Sequence, residues 1–273
     1  MVTIKHETKK QLKSEKIPYN SRLIKAGALL EEMRLLVRHW SNGSDGDLKS
    51  LAVVDNLLGK ATRARAQDIF RSAFLPRYVK GRPPKAWKIL RALEDAGAPV
   101  EVLKPVYYWV TARNEPILRD YVTAELAHKN GLTGQIISPS EVSQWIEKQL
   151  RSQGKTWSDR VTILVARGIL ATLRDFGILE GAVKKRLAPV YIPIESFAYM
   201  AFALCQEGSM GEKLVRHDDW LLFFLSPEDV EGKLIESDVR GFLKYQSAGR
   251  ITRIDFPARS FEEMAHVVLG RTD

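Results

Sequence analysis

Apolar side chains recur every three or four residues along most of this chain, a spacing that gathers them on one face of an α-helix. After Ser21 the positions Leu23, Ala26, Leu30, Met33, Val37 and Trp40 predict one long helix, closed by the turn residues Ser41-Asn42-Gly43. Leu48, Leu51, Val54 and Leu58 predict a second from about Asp45, with Gly59 as its C-cap. Thr62 is suited to cap a third that ends near Gly81, and further helices are expected over 85–96, 101–112 and 116–129. Val142, Trp145, Ile146 and Leu150 carry the period on after Ser140-Glu141. A turn at Ser152-Gln153-Gly154-Lys155 then leads to a long helix, opened by a capping box at Thr156-Trp157-Ser158-Asp159. That helix carries Val161, Leu164, Gly168 and Ala171 and ends about Gly177. Only late does the pattern change. Arg186–Ile192 reads as a short strand among prolines, and 242–246 with 250–256 as a hairpin around Ser247-Ala248-Gly249.

The expectation is a mainly α protein, a helical bundle with a helix-turn-helix followed by a winged-helix-like part with small β-hairpins. At 273 residues the chain suits one large or two ordinary domains. The segment 130–140, rich in Gly, Ser and Pro, is the natural linker, so units of 1–135 and 136–273 are expected. Cys205 is the only cysteine, which excludes an intrachain disulfide and a Cys-based zinc site. Met1–Lys16 is charged and has no apolar signal region, and the weakly charged stretch Leu187–Gln206 is interrupted by Pro189, Pro193 and Glu195. A spanning helix needs about 20 mostly apolar residues. A cytoplasmic protein without a membrane partner is expected.

Charge points to the kind of partner. Lys and Arg number 42 against 33 Asp and Glu, a formal net charge of +9, and such an excess favours a polyanion whose counterions it displaces. Between Gly59 and Arg91 the charged residues are Lys60, Arg63, Arg65, Asp68, Arg71, Arg77, Lys80, Arg82, Lys85, Lys88 and Arg91, with Asp68 the lone acid. Arg63, Gln67 and Arg71 fall at i, i+4 and i+8 and make one polar row, beside an apolar stripe of Ala66, Ile69, Phe70 and Ala73. A short Gly-containing turn before a helix that begins with Arg is the order of a helix-turn-helix, whose second helix enters the major groove by its start. The alternative is a solvated helix whose arginines only aid solubility.

A second candidate spans 140–192. Helix, turn, longer helix and strand is the order of a winged helix. Lys155, Arg160, Arg167 and Arg174 lie on or before the second helix, and Lys184-Lys185-Arg186 falls where a wing would begin. Cations so placed suit backbone phosphates, which position a protein without reading sequence. Lys244, Arg250 and Arg253 on the hairpin, and the tail residues Lys5, Lys9, Lys10, Lys13 and Lys16, are weaker candidates.

Catalytic patterns are missing. The five histidines are scattered without metal-ligand spacing, and no G-x-S-x-G elbow occurs. Gly208–Leu214 lacks the spacing of a phosphate loop, although its G-x-x-G superficially resembles that of KH modules. His217-Asp218-Asp219 reads as a helix cap. Asp229-Val-Glu231-Gly-Lys233 resembles a nuclease acid-x-Lys pattern but follows the helix-start signature Ser226-Pro227-Glu228. No catalytic residue, metal or cofactor is expected.

Tyr19-Asn-Ser21-Arg-Leu23-Ile-Lys25, Glu31-Glu-Met-Arg34, Asn56-Leu-Leu58, Ala61-Thr-Arg63-Ala-Arg65 and Arg77-Tyr78-Val79 resemble the BrxA family, an accessory of bacterial BREX phage-defence systems. Trp157-Ser-Asp159-Arg160, Leu173–Gly181, Trp220 and the stretch from Gly249-Arg-Ile-Thr-Arg253 to Glu263 extend the likeness over most of the chain. The resemblance implies a non-enzymatic, double-stranded-DNA-binding component, encoded beside a methyltransferase, an ATPase and a phosphatase-like protein. It also implies a largely helical fold with helix-turn-helix or winged-helix parts and some likeness to the NusB antitermination factor. Some members carry an inner-membrane label, against which the missing spanning segment argues. It supplies no catalytic residue. The expected DNA contacts, Lys60, Arg63, Arg65, Arg71, Lys155, Arg160, Arg167, Lys184, Lys185 and Arg186, come from charge placement alone. An adaptor for other defence subunits and an RNA-binding module of antitermination type remain open beside duplex DNA.

Overall fold

The computed structural model describes residues 18–41, 45–129, 134–248 and 251–270. In chain order the helices of the first half are α1 (Leu30–His39), α2 (Asp45–Val53), α3 (Arg63–Ile69), α4 (Trp87–Asp95), α5 (Val100–Asn114) and α6 (Pro116–Tyr121). A 3-10 turn at Arg22–Ile24 precedes them, α3 runs on as a π-helix over Phe70–Val79, and α6 runs on likewise over Val122–Leu126. There follow β1 (Ile136–Ile137), α7 (Pro139–Ser152), α8 (Asp159–Asp175), β2 (Leu179–Glu180) and β3 (Lys185–Leu187). The chain then forms α9 (Ile194–Gln206), α10 (Glu212–Val215), α11 (Pro227–Val239), the hairpin β4 (Lys244–Ala248) and β5 (Ile251–Asp255), and α12 (Phe261–Val268). The fold is mainly helical with small antiparallel strand pairs, as the apolar period predicts.

Two helices contain runs that are buried on every side. In α5 the run Val106–Ala112 is entirely buried, and in α9 so is Ser196–Leu204. They pack on each other, with Ser196 Oγ donating to Val102 O at 2.8 Å. Tyr199 of α9 donates to Ile89 O of α4 at 2.7 Å, and α12 packs on both α4 and α9. Buried apolar residues from Tyr19 to Val268 form one hydrophobic cluster.

The long helix expected from Leu23 to Trp40 is broken in the middle. Leu29 is left-handed (φ 51°), and the carbonyls of Ala26 and Gly27 accept from the buried Arg77 guanidinium, the latter at 2.7 Å. The chain leaves the helical path there, and these carbonyls find their partner in Arg77. Arg77 Nε lies 2.9 Å from Glu115 Oε1, and both side chains are fully buried. The second helix also differs: it stops at Val53, five residues before Leu58, so the connection to α3 runs over 54–62 rather than as a tight turn. Asn56 within it is left-handed. Pro76 falls inside the helix expected to reach Gly81, and the π-helical stretch is where the chain accommodates it.

Removing one member of a buried ion pair leaves the other charge uncompensated, at about 3–5 kcal/mol. Glu115→Ala is expected to lower unfolding stability by that amount in urea titration. A loss below about 1 kcal/mol would mean that Arg77 does not need its carboxylate.

Candidate nucleic-acid interface

One set of exposed cations lies on α8 and the hairpin after it. Ser138 and Glu141 form a capping box that starts α7, two residues earlier than Ser140 suggests. Val142, Trp145, Ile146 and Leu150 bury its inner face, and Lys155 N folds back to Leu150 O at 2.9 Å. Helix α8 is capped by Ser158, whose hydroxyl accepts from Val161 N, rather than by Thr156. Its inner face is Thr162, Val165, Ala166, Ile169, Leu170, Thr172 and Leu173. Arg160, Arg167 and Arg174 follow at seven-residue intervals, so they share the opposite side, about 10 Å apart at 1.5 Å per residue.

Arg160 and Arg167 are exposed, and neither has a carboxylate partner or a side-chain hydrogen bond among the described residues. Arg174 differs: it is tied to Asp175 at 2.5 Å. Strands β1, β3 and β2 form an antiparallel sheet in that order, with Ile136 opposite Arg186 and Glu180 opposite Arg186 on the other side. Ile137, Leu179 and Leu187 turn inward, while Arg186 is exposed. The β2–β3 turn carries Val183, 91% exposed, and the exposed Lys184; Lys185 Nζ reaches Ala182 O at 3.3 Å.

The α3 set is less free. Thr62 caps α3 as expected, accepting from Arg65 N. Arg63 is exposed and unpaired among the described residues, and Arg71 reaches the Gln67 amide oxygen at 3.3 and 3.2 Å in the amide orientation that satisfies both groups. Lys60, however, is paired with Glu32, and Arg65 Nη1 donates to Lys25 O at 2.7 Å. The two sets meet through the segment 22–27. Arg65 and Arg77 hold it on one side, and on the other Leu23 O stands 2.4 Å from where a Cβ on Gly168 of α8 would be. Only glycine lets α8 approach so closely.

Side chains of catalytic type have structural partners. His217 caps the 3-10 turn Asp218–Phe223, and burial pulls its imidazole below the ordinary value against the attraction of Asp219. Asp219 is buried and accepts from Trp109 Nε1 and Arg119 Nη2, both at 2.8 Å. Asp229 belongs to the α11 capping box with Ser226, while Lys233 on that helix lies over the rings of Tyr191 and Phe197. Burial raises the Cys205 thiol, which keeps it protonated. Among the described residues no group of three or more His, Cys, Asp or Glu could hold a metal. Charge placement did not single out Asn114, although this buried amide fixes the backbone of the basic segment after Val79.

A model of the BrxA family matches residues 17–203. Among solved structures, the crystal structure of an uncharacterized protein from Magnetospirillum magneticum is similar, with a TM-score of 0.55 and 16% identity. The match covers 76% of this chain and 99% of that one, and the likeness is one of fold. No curated protein matches.

Exposed cations without partners contribute little to folding. Arg160→Ala and Arg167→Ala are each expected to stay within about 0.5 kcal/mol of the parent in urea unfolding. Ser158→Ala is expected to cost about 1 kcal/mol, and Gly168→Ala about 1–3 kcal/mol. A marked loss on Arg167→Ala would assign that side chain to the fold instead of to a ligand.

Proposed function

This chain belongs to the BrxA family, and we propose that it is a non-enzymatic component of a BREX phage-defence system that binds duplex DNA chiefly through phosphates. The observation that carries this reading is that Arg160 and Arg167, two turns apart on the exposed side of α8, have no carboxylate partner among the described residues, and neither do Lys184, Lys185 and Arg186 of the β2–β3 hairpin that follows that helix. The order α6, β1, α7, α8, β2, β3 with sheet order β1-β3-β2 supports reading this part as a winged helix, with α8 as the second helix of the α7–α8 pair. On that reading the start of α8 approaches the major groove, and Lys155 and Arg160 meet its phosphates. The β2–β3 turn, with Val183 at its tip, lies along the adjacent backbone as a wing.

The α3 row adds Arg63 and Arg71 to the same polyanion, while Lys60 and Arg65 act at second hand by fixing the segments around them. Nothing marks a base-reading set beyond these arginines, so affinity is expected to depend on salt more than on sequence. The units 1–135 and 136–273 are part of this proposal, each carrying one basic element. So are contacts with the methyltransferase, ATPase or phosphatase-like subunits. A cytoplasmic location agrees with DNA as ligand, and no described helix is long and apolar enough to cross a membrane.

The double variant Arg160→Glu/Arg167→Glu tests the reading. Titration of labelled duplex at several salt concentrations is expected to give weaker binding and a salt slope shallower by about one per residue changed. Arg63→Glu/Arg71→Glu is expected to act in the same direction. Unchanged binding by either variant, with the fold intact, removes that helix from the interface.

A further inference from the structure

The segment from Lys80 to Lys88 reads Lys-Gly-Arg-Pro-Pro-Lys-Ala-Trp-Lys and holds four cations and no acid. Lys80, Arg82, Lys85 and Lys88 are all exposed, and none has a carboxylate partner among the described residues. Lys88 only lies over the Trp87 ring, at 5.8 Å. Their neighbours are treated differently by the fold. Arg34 and Arg38 share Glu94, and Arg91 is held by Asp95 at 2.7 Å. Neutralisation is thus available close by and does not extend to this loop.

The loop backbone is nevertheless fixed. Asn114, 5% exposed, accepts from Arg82 N at 2.6 Å and donates to Arg77 O, Arg82 O and Val110 O at 2.9, 3.0 and 2.8 Å. Lys85 N returns to Val79 O at 3.1 Å, and the buried Ala86 and Trp87 anchor the far end. At residue 81 a Cβ would stand 2.3 Å from Asn114 Oδ1 and 2.6 Å from Arg77 O, so the clasp requires glycine there. A cationic loop whose main chain is already ordered binds without the entropy of ordering it.

We propose that this loop is a preformed site for the phosphate backbone of duplex DNA, extending the α3 surface. The inference rests on the duplex-binding reading above. Cations spread over nine residues suit a repeating polyanion better than a single small anion. They also follow directly on the helix that begins with Arg63, carries Arg71 at its midpoint and runs to Val79. At 1.5 Å per residue or slightly less, that helix is about 20–25 Å long, the rise of roughly 6–7 base pairs. A duplex laid along it would meet Arg63 at one end, Arg71 midway and the loop at the other end.

The test uses the full chain with Lys80→Glu/Arg82→Glu/Lys88→Glu, leaving the left-handed Lys85 in place. The neutral Lys80→Gln/Arg82→Gln variant is the companion should charge reversal impair folding. Labelled duplex is titrated over a range of potassium chloride, with circular dichroism as the check on the fold. Three lost phosphate contacts are expected to make the salt slope shallower by about 2.7, and the neutral pair by about 1.8, with affinity at low salt down by about tenfold or more. A folded loop variant that binds duplex with the parent's affinity and slope overturns the loop site and leaves the α8 reading standing. Failure of the unaltered protein to bind duplex overturns both.

Discussion

A guanidinium with no access to water organises this molecule. Arg77 lies in the core with Glu115 and takes the carbonyls of Ala26 and Gly27. One side chain thereby ties together the π-helix after α3, the N-terminal segment and the junction of α5 with α6. Removing a partner from a buried charge costs about 3–5 kcal/mol, so the three segments are held to this one group. The residue next to Glu115 is Asn114, which clasps the Arg77 and Arg82 carbonyls and so fixes the loop after Val79. Two adjacent side chains at the end of α5 thus set both the path of the N-terminal segment and the shape of the basic loop. Because that segment also lies against Gly168, the same contacts decide how α3 and α8 sit on either side of it.

Much of the helical frame was legible because it follows from local rules. Thr62, His217 and Ser226 cap the turns and helices their sequence context predicts, and the buried faces of α7 and α8 are those of the apolar period. What escaped was set by partners far along the chain. No local pattern announces that Arg77 will interrupt the helix at Ala26 and Gly27, fifty residues before it. Nor does one announce that Ile136 and Ile137, inside a segment that reads as a linker, pair with Lys185 and Arg186. The caps at Ser138 and Ser158 lie two residues from their expected positions in opposite senses, since several Ser and Thr compete for each role.

The candidate interface shows the same division. Seven-residue spacing puts Arg160, Arg167 and Arg174 on one side of α8 without any knowledge of the fold. Whether a cation is available depends on its neighbours: Lys60 meets Glu32, Arg174 meets Asp175, and Arg65 meets the Lys25 carbonyl. Sequence lists positive charges, and the fold decides which of them are already neutralised, as Lys60 and Arg174 are, or tied to the backbone, as Arg65 is. Those left over, on α8, on the β2–β3 hairpin, at the start of α3 and on the loop after Val79, make up the proposed duplex-binding surface of this BrxA-family protein.

The central claim is that unneutralised cations, and not base edges or protein contacts, provide the affinity. Salt titration of the unaltered protein against equal lengths of duplex DNA, single-stranded DNA and structured RNA addresses it most directly. The account predicts tightest binding to duplex of any sequence, with log affinity falling linearly and steeply against log salt, by about 0.9 for each phosphate engaged. An affinity that barely responds to salt, or a preference for structured RNA over duplex, would contradict it.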